Sequence, residues 1–84
     1  MAVVKVYTTQ WCGYCAAARD LLRSKGIEFE DIDVDSDSAL RAEMTEKSGG
    51  TTVPQIFIND AAIGGYTDMA ALDKQGKLDS LLAQ

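Results

Sequence analysis

The sequence predicts an α/β domain: a four-stranded mixed sheet in the order β-α-β-α-β-β-α, flanked by helices. Two features of the chain predict this architecture. In the first half, short apolar runs alternate with helix-forming stretches, a pattern typical of parallel strands joined by a helix. In the second half, only Asn59-Asp60 separate two apolar runs, which indicates a hairpin of antiparallel strands.

The first strand, the first helix and the second strand are predicted to form a parallel unit. Val3–Tyr7 is short and β-branched, which indicates a buried strand. The helix after it has an apolar face that includes Leu22, and it ends at Gly26, a residue suited to a helix C-cap. Acidic residues alternate with apolar ones over Ile27–Val34, so we expect this strand nearer an edge of the sheet. The helical connection makes the two strands parallel, with a right-handed crossover.

The middle of the chain predicts a second helix and then the hairpin. Asp35–Ser38 offers several N-caps for a helix that runs to about Lys47. Val53–Ile58 is predicted to be the third strand, opened by the sole proline, Pro54. Ala61–Ile63 is predicted to be a short fourth strand.

The C-terminal part predicts two short helices. Thr67 or Asp68 is expected to cap a helix that runs to about Gln75, and Gly76 interrupts the helical pattern after it. The last helix carries apolar residues at helical spacing: Leu78, Leu81 and Leu82.

Size and charge exclude several classes of function. The chain has 84 residues, enough for one domain spanning 1–84, and its 46 % hydrophobic content allows a compact core but no enclosed large cofactor. The net charge is −5 and no Lys/Arg cluster exists, which argues against nucleic-acid binding. The sequence has no long apolar run for a membrane span and no visible secretory signal. We therefore expect a reducing cytoplasm, where paired cysteines are more often catalytic than structural.

The only two cysteines, Cys12 and Cys15, lie where the first strand gives way to the first helix. There Cys12 would meet the unpaired N–H groups and the positive end of the helix dipole. Both favour the thiolate, the form that attacks disulfides. Cys15, one helical turn later, is placed to resolve the mixed disulfide that results. We therefore predict redox catalysis by this pair.

Two other uses of a cysteine pair fit the sequence less well. A structural zinc site needs four ligands, and the chain has no histidine and no second cysteine pair. A structural disulfide is possible in principle, but one that closes so short a loop removes little chain entropy.

Three stretches of the chain resemble the glutaredoxin family: Cys12-Gly13-Tyr14-Cys15, Thr52-Val53-Pro54 and Gly64-Gly65-Tyr66-Thr67-Asp68. Their order and separations match the family over nearly the full length, and the chain is about as long as the smaller bacterial members. The resemblance implies the thioredoxin-like fold and a thiol–disulfide oxidoreductase that uses glutathione as reductant. Its substrates would be protein–glutathione mixed disulfides and protein disulfides, and the protein would act as a monomer without nucleic-acid or membrane partners.

The resemblance also implies a glutathione site beside Cys12. In the family the bond before the residue matching Pro54 is cis, and this loop lies against the active cysteine. The backbone of Val53, which follows Thr52, could then pair with an extended peptide such as glutathione. A proline that only opens a strand is the plainer alternative.

Four further residues complete the implied glutathione site, together with Gly65. By resemblance, the helix opened by Thr67 and Asp68 holds the γ-glutamyl carboxylate at its N–H groups, and Asp68 faces the γ-glutamyl ammonium. Tyr14 would flank the groove, and Arg41 would reach the glycyl carboxylate. Simple helix capping, an ordinary surface tyrosine and a solvated helix charge remain the alternatives for these residues.

Two positions depart from the family pattern. Thr9 stands where many glutaredoxins carry a lysine, so we expect a less depressed pKa for Cys12 than in those relatives. Gly13 stands where proline is common, and in the family a small residue there accompanies a [2Fe–2S] cluster, held by one Cys12 thiolate from each of two chains and by two glutathiones. A cluster-binding carrier or sensor in a homodimer, or a redoxin reduced by thioredoxin reductase, therefore remains an alternative. Trp11, beside the motif, is expected to pack against the site or shield it.

Overall fold

The computed structural model describes residues 2–83, so both terminal residues of the predicted domain lie outside it. The strands and helices are β1 (Val4–Thr8), α1 (Gly13–Ser24), β2 (Glu30–Asp33), α2 (Ser38–Ser48), β3 (Gln55–Ile58), β4 (Ala61–Gly64), α3 (Tyr66–Lys74) and α4 (Lys77–Leu82). This is the predicted order of elements. Among the helices of residues 2–83, none is both long and apolar enough to span a membrane.

The four strands form one mixed sheet in the order β2-β1-β3-β4. β1 and β2 are parallel, while β3 is antiparallel to both β1 and β4. The parallel pair, the antiparallel hairpin and the edge position of β2 are confirmed. Tyr7 near the end of β1 lies opposite Gln55 at the start of β3. The loop after β1 and the loop before β3 therefore meet at the same end of these two central strands.

The larger apolar cluster lies between the sheet and the helices α1, α3 and α4. Val6 and Ile56, which are paired across β1 and β3, pack with Leu22 of α1, Met69 of α3 and Leu78 of α4. All five side chains are fully buried. This packing holds α1 against the sheet and thereby positions the cysteine pair at its first turn.

A smaller cluster covers the opposite face of the sheet. Since side chains alternate along a strand, Tyr7 and Phe57 face away from the larger cluster and meet Met44 of α2 and Val34. The rings of Tyr7 and Phe57 contact edge to face, with centroids 5.5 Å apart. The prediction of helices on both faces of the sheet is therefore confirmed.

Several strands begin or end one to three residues from their predicted bounds, and two of the differences lie at the candidate site. β3 begins at Gln55, so Val53 and Pro54 belong to the loop before it, since proline has no N–H to donate to a ladder. α3 begins at Tyr66 with Gly65 as its N-cap, so neither predicted cap is correct. Instead the carboxylate of Asp68, in the first turn, accepts a hydrogen bond from the Gly65 N–H at 3.0 Å.

Candidate active site

Cys12 is the N-cap of α1, and its sulfur lies between the first turn of this helix and the loop before β3. Sγ accepts a hydrogen bond from the Cys15 N–H at 3.2 Å. On its other side the thiol donates to the carbonyl oxygen of Val53, at an S–O distance of 3.8 Å. The side chain is half-buried, so the sulfur is both held by the helix end and accessible to a substrate.

The pKa of the Cys12 thiol lies below its ordinary value. Burial by itself raises this pKa, but hydrogen bonds from the Cys15 thiol and from the backbone N–H groups of Cys15 and Tyr14 outweigh it, together with the charge of Arg19. Since the thiolate is the form that attacks disulfides, Cys12 has the environment of a nucleophile. The contribution of the helix-end N–H groups agrees with the sequence analysis, whereas that of Arg19 was not predicted.

Cys15 has the opposite environment. It is fully buried, and burial followed by its interactions with Cys12 raises the pKa of its thiol to about 11. Part of this shift comes from the negative charge on Cys12, so it disappears once Cys12 is bonded in a mixed disulfide. Both cysteines are reduced in this structure. The two thiols therefore ionise in a fixed order. Cys12 loses its proton first, and Cys15 becomes easier to deprotonate after Cys12 has reacted.

A groove of about 550 Å³ adjoins the loop that contacts the Cys12 thiol. It lies between this loop, the first turn of α1 and the start of α3. All of the predicted glutathione-binding residues except Arg41 line it: Tyr14, Thr52, Val53, Pro54, Gly65, Thr67 and Asp68. The fold thus gathers residues from three separate stretches of the sequence into one continuous surface.

The loop before β3 is held from beneath by Gln55. The Val53–Pro54 peptide bond is cis. The buried Gln55 side chain donates through Nε2 to the carbonyl oxygen of Thr52 at 3.0 Å. A Cβ at Gly50 would lie 2.8 Å from this Nε2, so the glycine leaves room for the amide. Gln55 was not predicted as a site residue, because its partners become neighbours only through the bend of the loop.

The start of α3 forms the other wall of the groove. Gly64 has a φ of 113°, and a Cβ there would lie 2.9 Å from the carboxylate carbon of Asp68, so this position requires glycine. A Cβ at Gly65 would lie 3.6 Å from the carbonyl oxygen of Pro54, which shows how closely the two walls approach.

The aromatic residues around the motif are exposed. Tyr14 is 65 % exposed and its ring lies 6.3 Å from the ring of Tyr66, centroid to centroid. Trp11 is 88 % exposed and lies in the β1–α1 loop, outside both apolar clusters. The expectation that Trp11 packs against the site is therefore wrong, while its role in shielding the site stays a prediction.

Arg41 does not line the groove. Its guanidinium donates to the carbonyl oxygen of Thr51 at 3.2 Å, and both residues border a shallow cavity next to α2. Its predicted role towards a ligand carboxylate stays a prediction.

Arg19 is a charged residue near the cysteine pair that the sequence analysis missed. Its Nε lies 2.6 Å from a carboxylate oxygen of Asp31, and its Nη2 donates to the Thr8 hydroxyl at 3.0 Å. The sequence does hold a signal for it, since Arg19 follows Cys15 by four residues and so lies on the same side of α1.

The described residues do not by themselves fit a metal or cluster site. Among residues 2–83, no group of three or more His, Cys, Asp or Glu side chains is placed to hold a metal ion. An iron–sulfur cluster is typically held by four thiolates, whereas this chain offers the half-buried Cys12 and keeps Cys15 buried. The predicted cluster between two chains stays a prediction.

Two solved glutaredoxins have the same fold as this chain. The crystal structure of a buckwheat glutaredoxin–glutathione complex matches with a TM-score of 0.90 and 28 % identity, covering 98 % of this chain and 77 % of the other. The solution structure of a glutaredoxin from Brucella melitensis matches with a TM-score of 0.86 and 52 % identity, covering 98 % and 89 %. The fold is thus thioredoxin-like, and its dithiol at a helix N-terminus is that of a thiol–disulfide oxidoreductase.

The sequence comparisons narrow the class to one family. Residues 4–63 match the family model described as Glutaredoxin. Glutaredoxin 3 of Escherichia coli K12 is 51 % identical over 82 residues, which cover 98 % of this chain and 99 % of the relative. A glutaredoxin of Pseudomonas aeruginosa is 49 % identical over 83 residues, covering 99 % of each. This chain belongs to the glutaredoxin family, and its resemblance to that family is confirmed.

Proposed function

We propose that this oxidoreductase depends on glutathione: it reduces mixed disulfides between proteins and glutathione, and protein disulfides, with glutathione as the electron donor. The observation that supports this most strongly is the groove beside Cys12, walled by Val53 on one side and Asp68 on the other. Its three walls come from the three stretches that resemble the family. The buckwheat relative with this fold was solved as a complex with glutathione.

The groove offers a complementary group for each part of a γ-glutamyl peptide. The backbone of Val53 is available to an extended peptide, as in strand addition. The first N–H groups of α3 have no acceptor within the helix and suit a carboxylate. One carboxylate oxygen of Asp68 accepts a hydrogen bond from the Gly65 N–H. The negative charge of this carboxylate faces the same groove, where it would attract an ammonium group.

In the proposed reaction with a glutathionylated protein, the Cys12 thiolate attacks the glutathionyl sulfur. A bond forms between Cys12 and glutathione, the mixed disulfide breaks, and the substrate protein leaves as a thiolate that takes up a proton. A second glutathione thiolate then attacks the glutathionyl sulfur and releases Cys12 again as a thiolate, giving oxidised glutathione. The Cys15 N–H, which donates to Cys12 Sγ, stabilises that leaving thiolate.

Protein disulfides follow a two-cysteine route. Cys12 attacks one sulfur of the substrate, and Cys15 then loses its proton and attacks Cys12, which releases the reduced substrate and closes a Cys12–Cys15 disulfide. Two glutathiones reopen this disulfide and become oxidised glutathione. We expect a reduction potential of roughly −200 to −230 mV, the range of glutaredoxins, and a reducing cytoplasm would keep the pair reduced.

An assay of NADPH consumption with a glutathionylated peptide tests the electron donor. We expect turnover with glutathione and glutathione reductase, and none with thioredoxin reductase alone. Turnover with thioredoxin reductase alone would instead support the rival redoxin. A protein that turns over with neither donor would contradict the proposal.

The variant Asp68→Asn tests the groove itself. The amide oxygen of asparagine still accepts the Gly65 N–H, so α3 keeps its cap while the negative charge is lost. We expect a raised KM for the glutathionylated peptide with little change in kcat, as for a lost ground-state contact. Asp20→Asn is the matched control, because that carboxylate lies on the exposed face of α1 and outside the groove. Equal effects of both substitutions would count against a ligand contact by Asp68.

A further inference from the structure

Three side chains from three elements form a polar network behind the cysteine pair. Arg19 of α1 lies 2.6 Å from Asp31 of β2 through Nε and donates to Thr8 at the end of β1 through Nη2. The Thr8 hydroxyl, fully buried, in turn donates to the other carboxylate oxygen of Asp31. Hydrogen bonds from two different nitrogens of Arg19 hold its guanidinium in one orientation.

This network borders the active site. Arg19 follows Cys15 by one turn of α1, so the two side chains lie on the same side of the helix. The Arg19 side chain is only 19 % exposed, which limits the screening of its charge by solvent. Its charge is one of the contributions that lower the pKa of Cys12, and it opposes the rise that burial causes in the pKa of Cys15. The pKa of Arg19 is itself raised, mainly by Asp31 and to a smaller extent by the two cysteines. Asp31 is the carboxylate that faces the guanidinium, and the Asp31 carboxylate is in turn influenced by the charge of Arg23.

We propose that Arg19 is a positioning residue for thiol–disulfide exchange, held by Asp31 and Thr8 so that its charge stabilises the thiolates of Cys12 and Cys15. In the resolving step Cys15 loses its proton and attacks the sulfur of Cys12. The bond from Cys12 to the substrate breaks, and the substrate leaves with the electron pair and takes up the proton that Cys15 has lost. Arg19 neither bonds to the substrate nor transfers a proton; it favours the charged form of the attacking sulfur, which burial disfavours.

The first test compares Arg19→Gln with Arg23→Gln. Arg23 lies one turn further along α1, is 66 % exposed and is 3.9 Å from its helix neighbour Asp20, so its substitution is a matched loss of charge. We measure the rate at which iodoacetamide alkylates the reduced protein as a function of pH. Below the pKa of Cys12, R19Q should react about two- to fivefold more slowly than wild type, the size expected of a partly exposed charge interaction. R23Q should follow the wild-type profile.

Two more readouts separate this role from a purely structural one. Because a reduced form with less stable thiolates is a better electron donor, the Cys12–Cys15 potential of R19Q should become more negative than that of wild type. Arg19→Lys keeps the charge and should recover most of the alkylation rate, even where its thermal stability falls with that of R19Q. None of these measurements uses glutathione, so their failure would leave the proposed function intact.

The unmutated protein provides a check that needs no substitution. If the thiolates and Arg19 stabilise each other, the ¹⁵N resonance of the Arg19 Nε–H should shift with the same midpoint as Cys12 alkylation. An Arg19 resonance that stays constant through that midpoint, or identical alkylation profiles for R19Q and wild type, would overturn the proposal. An R23Q profile displaced as far as that of R19Q would do the same.

Discussion

The Cys12 thiol lies 3.8 Å from the carbonyl oxygen of Val53, although 41 positions separate the two residues in the chain. The antiparallel pairing of β1 and β3 explains this contact, since it places Tyr7 opposite Gln55 and brings the loop after β1 close to the loop before β3. A peptide that adds to the Val53 backbone would therefore present its sulfur to Cys12.

The two cysteines should have separable roles. Cys12→Ser should abolish the reduction of both glutathionylated peptides and protein disulfides, because no other thiol is accessible. Cys15→Ser should retain reduction of the glutathionylated peptide but weaken reduction of insulin disulfides, since the resolving thiol is lost. Rates with the two substrates measured side by side check this. A Cys15→Ser variant that loses both activities equally would contradict the one-cysteine route.

Alkylation should distinguish the two thiols by pH. Hydrogen bonds from the first turn of α1 hold the pKa of Cys12 below its ordinary value, whereas burial raises the pKa of Cys15 to about 11. Reduced folded protein treated with iodoacetamide near pH 7 should therefore gain one adduct, mapped to Cys12 by mass spectrometry. In denaturant the second adduct should form readily, because burial no longer protects Cys15. Equal labelling of both cysteines in the folded state would refute these assignments.

A side chain at Gly64 should disturb the start of α3. The φ of 113° is strained for any L residue, and a Cβ would displace the Asp68 carboxylate from the Gly65 N–H. We expect Gly64→Ala to lower the free energy of unfolding by more than about 1 kcal/mol and to raise the KM for a glutathionylated peptide. Gly13→Ala is the control, because nothing lies within 4 Å of its Cβ, and it should leave stability unchanged or slightly higher. Urea titration of both variants measures the difference.

Leu22 should be the more sensitive of two adjacent leucines on α1. It is fully buried in the larger apolar cluster, whereas Leu21 is only partly buried at its margin. Leu22→Ala should lower the free energy of unfolding by about 2–5 kcal/mol, because less apolar surface is removed from water and a cavity remains in the core. Leu21→Ala should cost clearly less. Chemical denaturation of both variants tests the packing of α1, and a reversed order would place the wrong face of this helix on the sheet.

The ionised carboxylate of Asp31 should stabilise the folded protein at neutral pH but not in acid. Burial by itself raises the pKa of this carboxyl. Hydrogen bonds from Thr8 and Arg19 lower it by a larger amount, so the pKa lies below its ordinary value. A depressed carboxyl pKa stabilises the folded state above the unfolded value of about 3.9, and this contribution is lost as pH falls through the folded pKa. Asp31→Asn should therefore be less stable than wild type at pH 7, and the gap should narrow below about pH 4. A gap that is constant down to pH 2 would argue against ionised Asp31 as its source.

The sequence predicted those parts of the fold that depend on near neighbours in the chain. Asn59 and Asp60 both have positive φ, as the two-residue hairpin turn between β3 and β4 requires. The acidic alternation around Ile32 identified β2 as an edge strand. Cys12 was assigned to a helix N-terminus from its place after an apolar run, and it is the N-cap of α1. In each case the physical cause acts within one turn or one strand, so the local sequence contains it.

The remaining features arise from contacts between distant segments. The Cys12 thiol meets the carbonyl oxygen of Val53 only because β3 pairs with β1, and Arg19 meets Asp31 only because β2 lies beside β1. Trp11 is exposed because both apolar clusters fill without it. The sequence by itself therefore determined the elements and the place of Cys12 at a helix N-terminus, whereas the tertiary structure decided which charges and loops surround its sulfur. The reason is that burial and electrostatic interactions depend on distances in space, which the order of residues does not specify.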